Sequence, residues 1–551
     1  MQEVSNDWKN AHKKTILNES FVEVSIEMAD PGRAGKTNAY NNGTSYISGS
    51  DSLTDDVLET PTPFCTLEQN LWTLDGNRKA IPDGEHNGLN GFVGDVLSDD
   101  TCMFSVKRPT VEVRCTEEFT KIIPGITITW SETYEEFADT FKVIVYKDNT
   151  VVAEKDVYDN KSVTSIIFME IQNYNRIEII VQKWCLPNKR ARVENITLGI
   201  RKLYRKTDLC DYSHSQIVDP ISLSLPKSEV RFSIDNTNGE YNPYNTEGFS
   251  KYLTERQEIK TRYGLKMADG TVEWIKGGTF YLSEWYAKQN SITAEFTARD
   301  NFEFLSSIYV DEDYITNYES ISTNADGGRN LYDLAEAVLS TVNIPLHSDG
   351  SPLWVIDDSL KKIFTKAPLP EDTCANCLQL IANAGRCVIY YDRYGTIRIK
   401  PFEIYTVDPE PDYEINSFNS FTKTEISLSK PIKALNVKRY TYTKNADNEI
   451  ESTSVDTNVF TVTTVSEGET ILLDNPLITK EVEAVRLGQW VGSYLSRHRM
   501  TLDSSWRADV RLDVLDIVKN KNEYNTNKVL MTEVEFTYNG AFKGIGKGKV
   551  R

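Results

Sequence analysis

The residues that could do chemistry are few, and each has a competing structural reading. The string Gly32-Arg33-Ala34-Gly35-Lys36-Thr37 ends like a phosphate-binding loop, in which glycine-rich backbone wraps a phosphate at the start of a helix. That motif needs a glycine five residues before Gly35, where Asp30 stands, and a helix afterwards, where the chain reads NAYNNGTSY. An acid at that position repels phosphate, so a surface loop is expected. Cys374, Cys377 and Cys387 invite zinc, but a structural site takes four ligands and the nearest histidine in sequence is His347. Both Cys374 and Cys377 fall on the apolar side of a predicted helix, where thiols pack as small hydrophobes.

The five histidines, at positions 12, 86, 214, 347 and 498, stand in no HExxH, HxH or HxxE spacing, which leaves metal hydrolysis and Ser/His/Asp chemistry without their parts. Carboxylate pairs such as Glu135/Glu136 or Asp311/Glu312/Asp313 could serve a glycosidase. Among 81 acids such pairs discriminate nothing. No catalytic residue, cofactor or metal is expected, and the chain reads as a non-enzyme.

The elements that would carry any site alternate with period two: 21–28 (FVEVSIEM), 111–115, 126–130, 141–146, 176–182, 291–298 and 530–538. This predicts half-buried antiparallel strands. Asp148-Asn149, Asn238-Gly239, Asp269-Gly270 and Asn539-Gly540 punctuate them with residues that tolerate positive φ. Helical spacing appears at 330–341, at 373–385 and at 479–498. In the last, Thr479 is expected to cap, with Val482, Val485, Trp490, Val491 and Leu495 forming the apolar face. The fold class is mainly β, α+β overall. Its expected domains are a discontinuous β-rich domain from 1–87 plus 201–310, an inserted β-sandwich at 88–200, an α/β domain at 311–412, and a β-rich domain at 413–551 with one long helix.

Composition sets limits. At 551 residues the chain exceeds a single core. With 61 Lys+Arg against 81 Asp+Glu, a formal charge of -20 argues against a dedicated nucleic-acid binder. The 28 Tyr, 21 Phe and 9 Trp argue against disorder. No run of about 18 apolar residues spans a bilayer, and the first residues lack an export signal. The eight irregularly spaced cysteines suit reduced thiols. Aromatics gather near turns of the sandwich: Trp130, Tyr134, Phe137, Tyr146, Tyr174 and Trp184. Rings on a rim stack on sugars, whereas rings within alternating strands pack in the core. A carbohydrate site would use Trp130, Tyr134, Tyr174 and Trp184.

Longer strings carry a resemblance. They are Phe232-Ser-Ile-Asp-Asn-Thr-Asn-Gly-Glu-Tyr-Asn-Pro243 with Gly278-Thr-Phe-Tyr-Leu-Ser-Glu-Trp285, Cys65-Thr-Leu-Glu-Gln-Asn-Leu-Trp-Thr-Leu-Asp-Gly76, the segment 371–402, and Trp506 to Val518 with Val534 to Gly540. Together they resemble tail proteins encoded by phages and prophages of Gram-positive bacteria, of the baseplate-hub or tail-tip kind. Residues 100–200 resemble a galactose-binding-type jelly roll. The resemblance implies that the domains at 1–87 plus 201–310 and at 413–551 are β-barrels, and it implies a homotrimer whose paired barrels match a six-fold tail tube to a three-fold tip. It implies a virion location after synthesis in the host cytoplasm, and as partners the tail tube or distal tail protein, the tape-measure protein and receptor-binding fibres. The chain stops at Gly544-Lys-Gly-Lys-Val-Arg551 without a lysozyme-like domain, so wall degradation is expected of another protein. DNA would pass only in transit, along an acidic channel to which three chains of -20 bring -60. A host-surface carbohydrate-binding adhesin is the alternative, and a cell-wall-degrading enzyme the third reading.

Overall fold

In the computed structural model, the described residues are 1–14, 19–29, 36–45, 48, 53–54, 91–205, 208–246, 248–268, 272–288, 291–310, 323, 327–342, 344, 351–404, 410–411, 413–444, 450–462 and 467–551. The string 65–76, Asp269-Gly270 and most of 30–37 lie outside them. The fold is mainly β, as expected. The chain forms two compact units, one of 25–203 with 345–352 and one of 1–24, 204–344 and 353–551.

The smaller unit contains a five-stranded and a three-stranded sheet. Its five-stranded sheet runs in the order Thr37–Asn41, Thr110–Phe119, Tyr174–Trp184, Ala138–Lys147, Thr150–Val157. Asn195–Thr197, Ile123–Thr129 and Thr164–Ile171 form a three-stranded one. Segment 1–87, expected to belong wholly to the first barrel, is therefore divided, because Ala39 pairs with Val113 in this unit. Alternation places Phe141, Val143 and Val145 opposite Val181, Ile179 and Ile177. All six are buried, in one core with Ile126, Ile128 and Ile167. Asp148, at φ 54°, turns Ala138–Lys147 into Thr150–Val157.

The larger unit is organised by strands from both expected barrels. Nine strands follow one another by hydrogen bonding: Glu258–Lys266, Val272–Tyr286, Thr293–Arg299, Lys227–Asp235, Leu209–Ile217, Thr526–Tyr538, Phe542–Val550, Met500–Arg507 and Glu425–Leu428. Strand Leu209–Ile217 is the join, with Lys227–Asp235 on one edge and Thr526–Tyr538 on the other. The N-terminal helix Asn6–Lys13 is capped by Ser5, whose Oγ accepts from Trp8 N at 3.1 Å. It buries Trp8 and Ala11.

The middle of this unit holds helices Leu331–Ser340 and Cys374–Ala384, capped by the side chains of Asn330 and Thr373. The hairpin Cys387–Tyr391/Ile397–Pro401 follows. Cys374, Cys377 and Cys387 are buried in the same core as Leu334, Val338, Leu378 and Ile381.

Helix Glu481–Arg497 departs from expectation. Lys480 precedes it without a side-chain cap, while Thr479 Oγ1 accepts from Lys366 N at 3.3 Å. Val482 is exposed, and the buried face runs instead through Ala484, Leu487, Gly488, Val491 and Gly492. The reason is a close approach: a Cβ on Gly488 would stand 2.6 Å from the Phe460 ring. Small residues four apart let the helix lie on the Ile432–Lys444/Ile450–Thr461 hairpin.

Strand Ser20–Ala29 is buried on both sides rather than one, with Glu23, Ser25 and Glu27 as inaccessible as Val22, Val24 and Ile26. Arginines make this tolerable, because a buried charge must be paired. Glu23 meets Arg205 and Arg262, and Glu27 meets Arg201 at 3.1 Å. Burial opposes the charge on Glu23, yet Arg262 and Arg205 hold its pKa below the usual glutamate value.

The last strand, FKGIGKGKV, puts Gly544, Gly546 and Gly548 on the core side. Trp506, wholly buried, lies over the first of these: a Cβ at Gly544 would meet the indole at 2.7 Å. The variant Gly544→Val is expected to lose about 1–3 kcal/mol by overpacking, read as a lowered urea midpoint with unchanged slope. A midpoint equal to that of the unaltered chain would mean that the indole is not seated there.

Candidate assembly surface

In a strand bonded on both edges, only side chains can present chemistry, and they alternate between two faces. Across the join, the core-facing row reads Trp506, Gly544, Phe536, His214, Val230, Ala298 in consecutive register. All six are buried. The rows facing the other way are polar. One runs Asp503, Lys547, Glu533, Ile217, Lys227, and the next Ser505, Ile545, Glu535, Ser215, Glu229, Arg299. A third runs Arg507, Lys543, Thr537, Ser213, Arg231, Thr297, Glu284. Strands of 209–299 and of 500–550 thus build one surface.

Each of these rows carries both signs of charge, and ion pairs stitch them together. Lys547 Nζ lies 2.8 Å from Glu533. Glu229, almost inaccessible, takes Lys227 at 3.2 Å, Arg231 at 2.7 Å and Arg299 at 3.2 Å. Burial works against its carboxylate, but the three cations hold its pKa below the usual value. Arg299 continues to Glu303 at 3.3 Å. This face carries both signs of charge in alternation. Its acids are matched by bases on neighbouring strands, so the excess negative charge lies elsewhere in the chain.

Behind it sits a polar network that fixes the join. His214 Nδ1 and Tyr263 Oη are 2.8 Å apart, Tyr263 Oη and Tyr212 Oη 2.8 Å, and His214 Nε2 and Ser228 Oγ 3.2 Å. Arg393, from the turn of the middle hairpin, donates to the carbonyls of Val510 and Leu512, and its guanidinium lies 5.6 Å from the Tyr263 ring. Burial, then the Arg393 charge, push the His214 pKa well below the ordinary imidazole value. Burial pushes Tyr263 up to about 12. These groups are in the core and hold shape rather than bind.

The proposed sugar-stacking residues are placed differently. Trp130, Tyr174 and Trp184 have no exposed surface. Trp130 packs edge-on against Phe141 and Trp184, with ring centroids 4.8 and 6.0 Å apart, and its Nε1 donates to Ser165 Oγ at 2.8 Å. Trp184 Nε1 donates to the buried Glu136 at 3.0 Å. Rings enclosed in this way offer no face to a sugar. Tyr134 is half-buried, with the Arg192 guanidinium over its ring at 4.6 Å. Among the described residues no cluster of His, Cys, Asp and Glu could hold a metal. No described helix is long and apolar enough to cross a membrane.

No protein-family model and no curated protein matches the chain. Among solved structures it is similar to a tail protein from Neisseria meningitidis MC58, at 11% identity and TM-score 0.39, over 63% of this chain and 93% of that one. It is also similar to the 43 kDa tail protein of prophage MuSo2 from Shewanella oneidensis, at 10% identity and TM-score 0.40, over 63% and 94%. A component of the phage P2 baseplate matches at 9% identity and TM-score 0.22, over 66% and 92%.

The His214 network generates a pH dependence. A depressed folded-state pKa means that folding disfavours the imidazolium. Its contribution is complete above the unfolded value of 6.5 and is lost as pH falls below it. Thermal midpoints measured from pH 8 to 5 are expected to fall less steeply for His214→Gln than for the unaltered chain. Parallel curves would show that His214 does not titrate on unfolding.

Proposed function

We propose that this chain is a structural component of a phage or phage-like tail, at the baseplate hub or tail tip. Two grounds support the reading: the strings 65–76, 232–243, 278–285, 371–402, 506–518 and 534–540 resemble such proteins, and strands of the two β-rich modules form one sheet. The second carries it. A sheet with one sealed core face and one charge-matched polar face is suited to lining a ring, since it needs no ligand to complete it.

Three copies arranged around an axis would place six β-modules in a circle and join a six-fold tube to a three-fold tip. DNA would pass along the polar face in transit. Paired charges hold a polyanion less than a basic wall would and repel it less than an acidic one. Partners on this reading are the tail tube or distal tail protein, the tape-measure protein and a receptor-binding fibre. The sandwich serves as an added contact module. The work is mechanical rather than enzymatic.

Native mass measurement at micromolar concentration tests the assembly. A species of three copies, weakened little by 0.5 M salt, is the expected result. A chain that stays single or paired, alone and with tube proteins, would count against the proposal.

A further inference from the structure

Among the described residues, two strand edges of the larger unit lack the protection that monomeric proteins give to exposed edges. Glu425–Leu428 bonds Met500–Arg507 on one side, and among the described residues no strand bonds the other. All four of its residues are exposed, with Ile426 and Leu428 at 55% and 64%. The second edge is Ile450–Thr461, bonded among the described residues only to Ile432–Lys444 and exposed throughout 452–457. From 452 to 461 it reads STSVDTNVFT, with no proline, no lysine and one charge. An open edge of that length and composition templates further pairing unless something covers it.

Charge decides which occupant fits. The charges of Ile450–Thr461 are Glu451 and Asp456, the latter paired with Arg439 of the adjoining strand at 2.6 Å, so the edge laid against itself brings acid to acid. The short edge is flanked by Lys423 and Lys430, both largely exposed. Their present partners, Glu523 at 3.1 Å and Glu469 at 3.4 Å, form exposed pairs of the kind that exchanges at little cost. With Glu425 inside it and Lys423 and Lys430 flanking it, the short edge carries one net positive charge against the two acids of the other, so the edges are complementary between copies. Pairing two different edges is heterologous, and a heterologous contact builds a ring where its rotation closes and a filament where it does not, whereas a self-pairing edge stops at two.

We infer that copies of this chain join by strand addition, with Glu425–Leu428 of one copy hydrogen-bonded along Ile450–Thr461 of the next. The inference rests on the self-assembly proposed above and names its surfaces. Ile426 and Leu428 then lie against the neighbour's strand rather than in water, and Lys423 or Lys430 approaches Asp456.

Cysteine pairs test it in the full chain. Ser427→Cys is combined in turn with Ser452→Cys, Ser454→Cys and Thr457→Cys, so that a register offset does not hide the contact, and each assembled protein is oxidised. At least one combination is expected to give a covalent ring of three on a denaturing gel, with no such species from any single variant. Three-copy assemblies that yield no covalent species from any combination would overturn the edge pairing while leaving the self-assembly standing. Cross-linking by Ser454→Cys alone would overturn it in favour of self-pairing. A chain that never assembles would overturn both.

Discussion

The larger unit depends on one strand being hydrogen-bonded along both edges. Leu209–Ile217 bonds Lys227–Asp235 on one side and Thr526–Tyr538 on the other, so two modules distant in sequence share one sheet. Once that strand is fixed, its period of two fixes the rest. A slip of one residue would turn His214 and Phe536 into water and bring Ser215 and Glu535 into the core. The network of His214, Tyr263, Tyr212 and Ser228 resists such a slip, because its donors and acceptors meet in one register only. Arg393 ties the middle hairpin to the same place through the carbonyls of Val510 and Leu512.

Much of this was legible in the sequence and some was not, for identifiable reasons. Alternating strands such as 141–146 and 530–538, the Asn539-Gly540 turn, and the helices at Leu331–Ser340 and Cys374–Ala384 follow from local periodicity, which neighbours do not change. The joining strand escapes that signal because its inward residues are Tyr212, His214 and Gln216, which do not read as apolar. Tyr-x-His-x-Gln was the available clue, a row able to hydrogen-bond on one face. Glu23 and Glu27 read as solvent-facing because their partners, Arg205, Arg262 and Arg201, come from more than 170 residues away. The long helix was read by apolarity, while its buried face was set by small residues against Phe460.

The sandwich aromatics teach a related point. Trp130, Tyr174 and Trp184 sit near turns in sequence, where a rim and a core end look alike. What separates them is a second sheet, and sequence does not show which rings it covers. Net charge is silent on arrangement in a comparable way. A total of -20 says nothing about arrangement, and the polar rows of the joined sheet are built from matched acids and bases.

The central claim is that this charge-matched face lines the opening of a ring built by copies of the chain. A three-dimensional electron-microscopy reconstruction of the self-assembled particle tests it most directly. The account predicts a three-fold ring with Glu229, Lys227, Glu533 and Lys547 facing the opening and Trp506 and Phe536 sealed behind them. A ring with that face turned outward, and other strands at the opening, would contradict it.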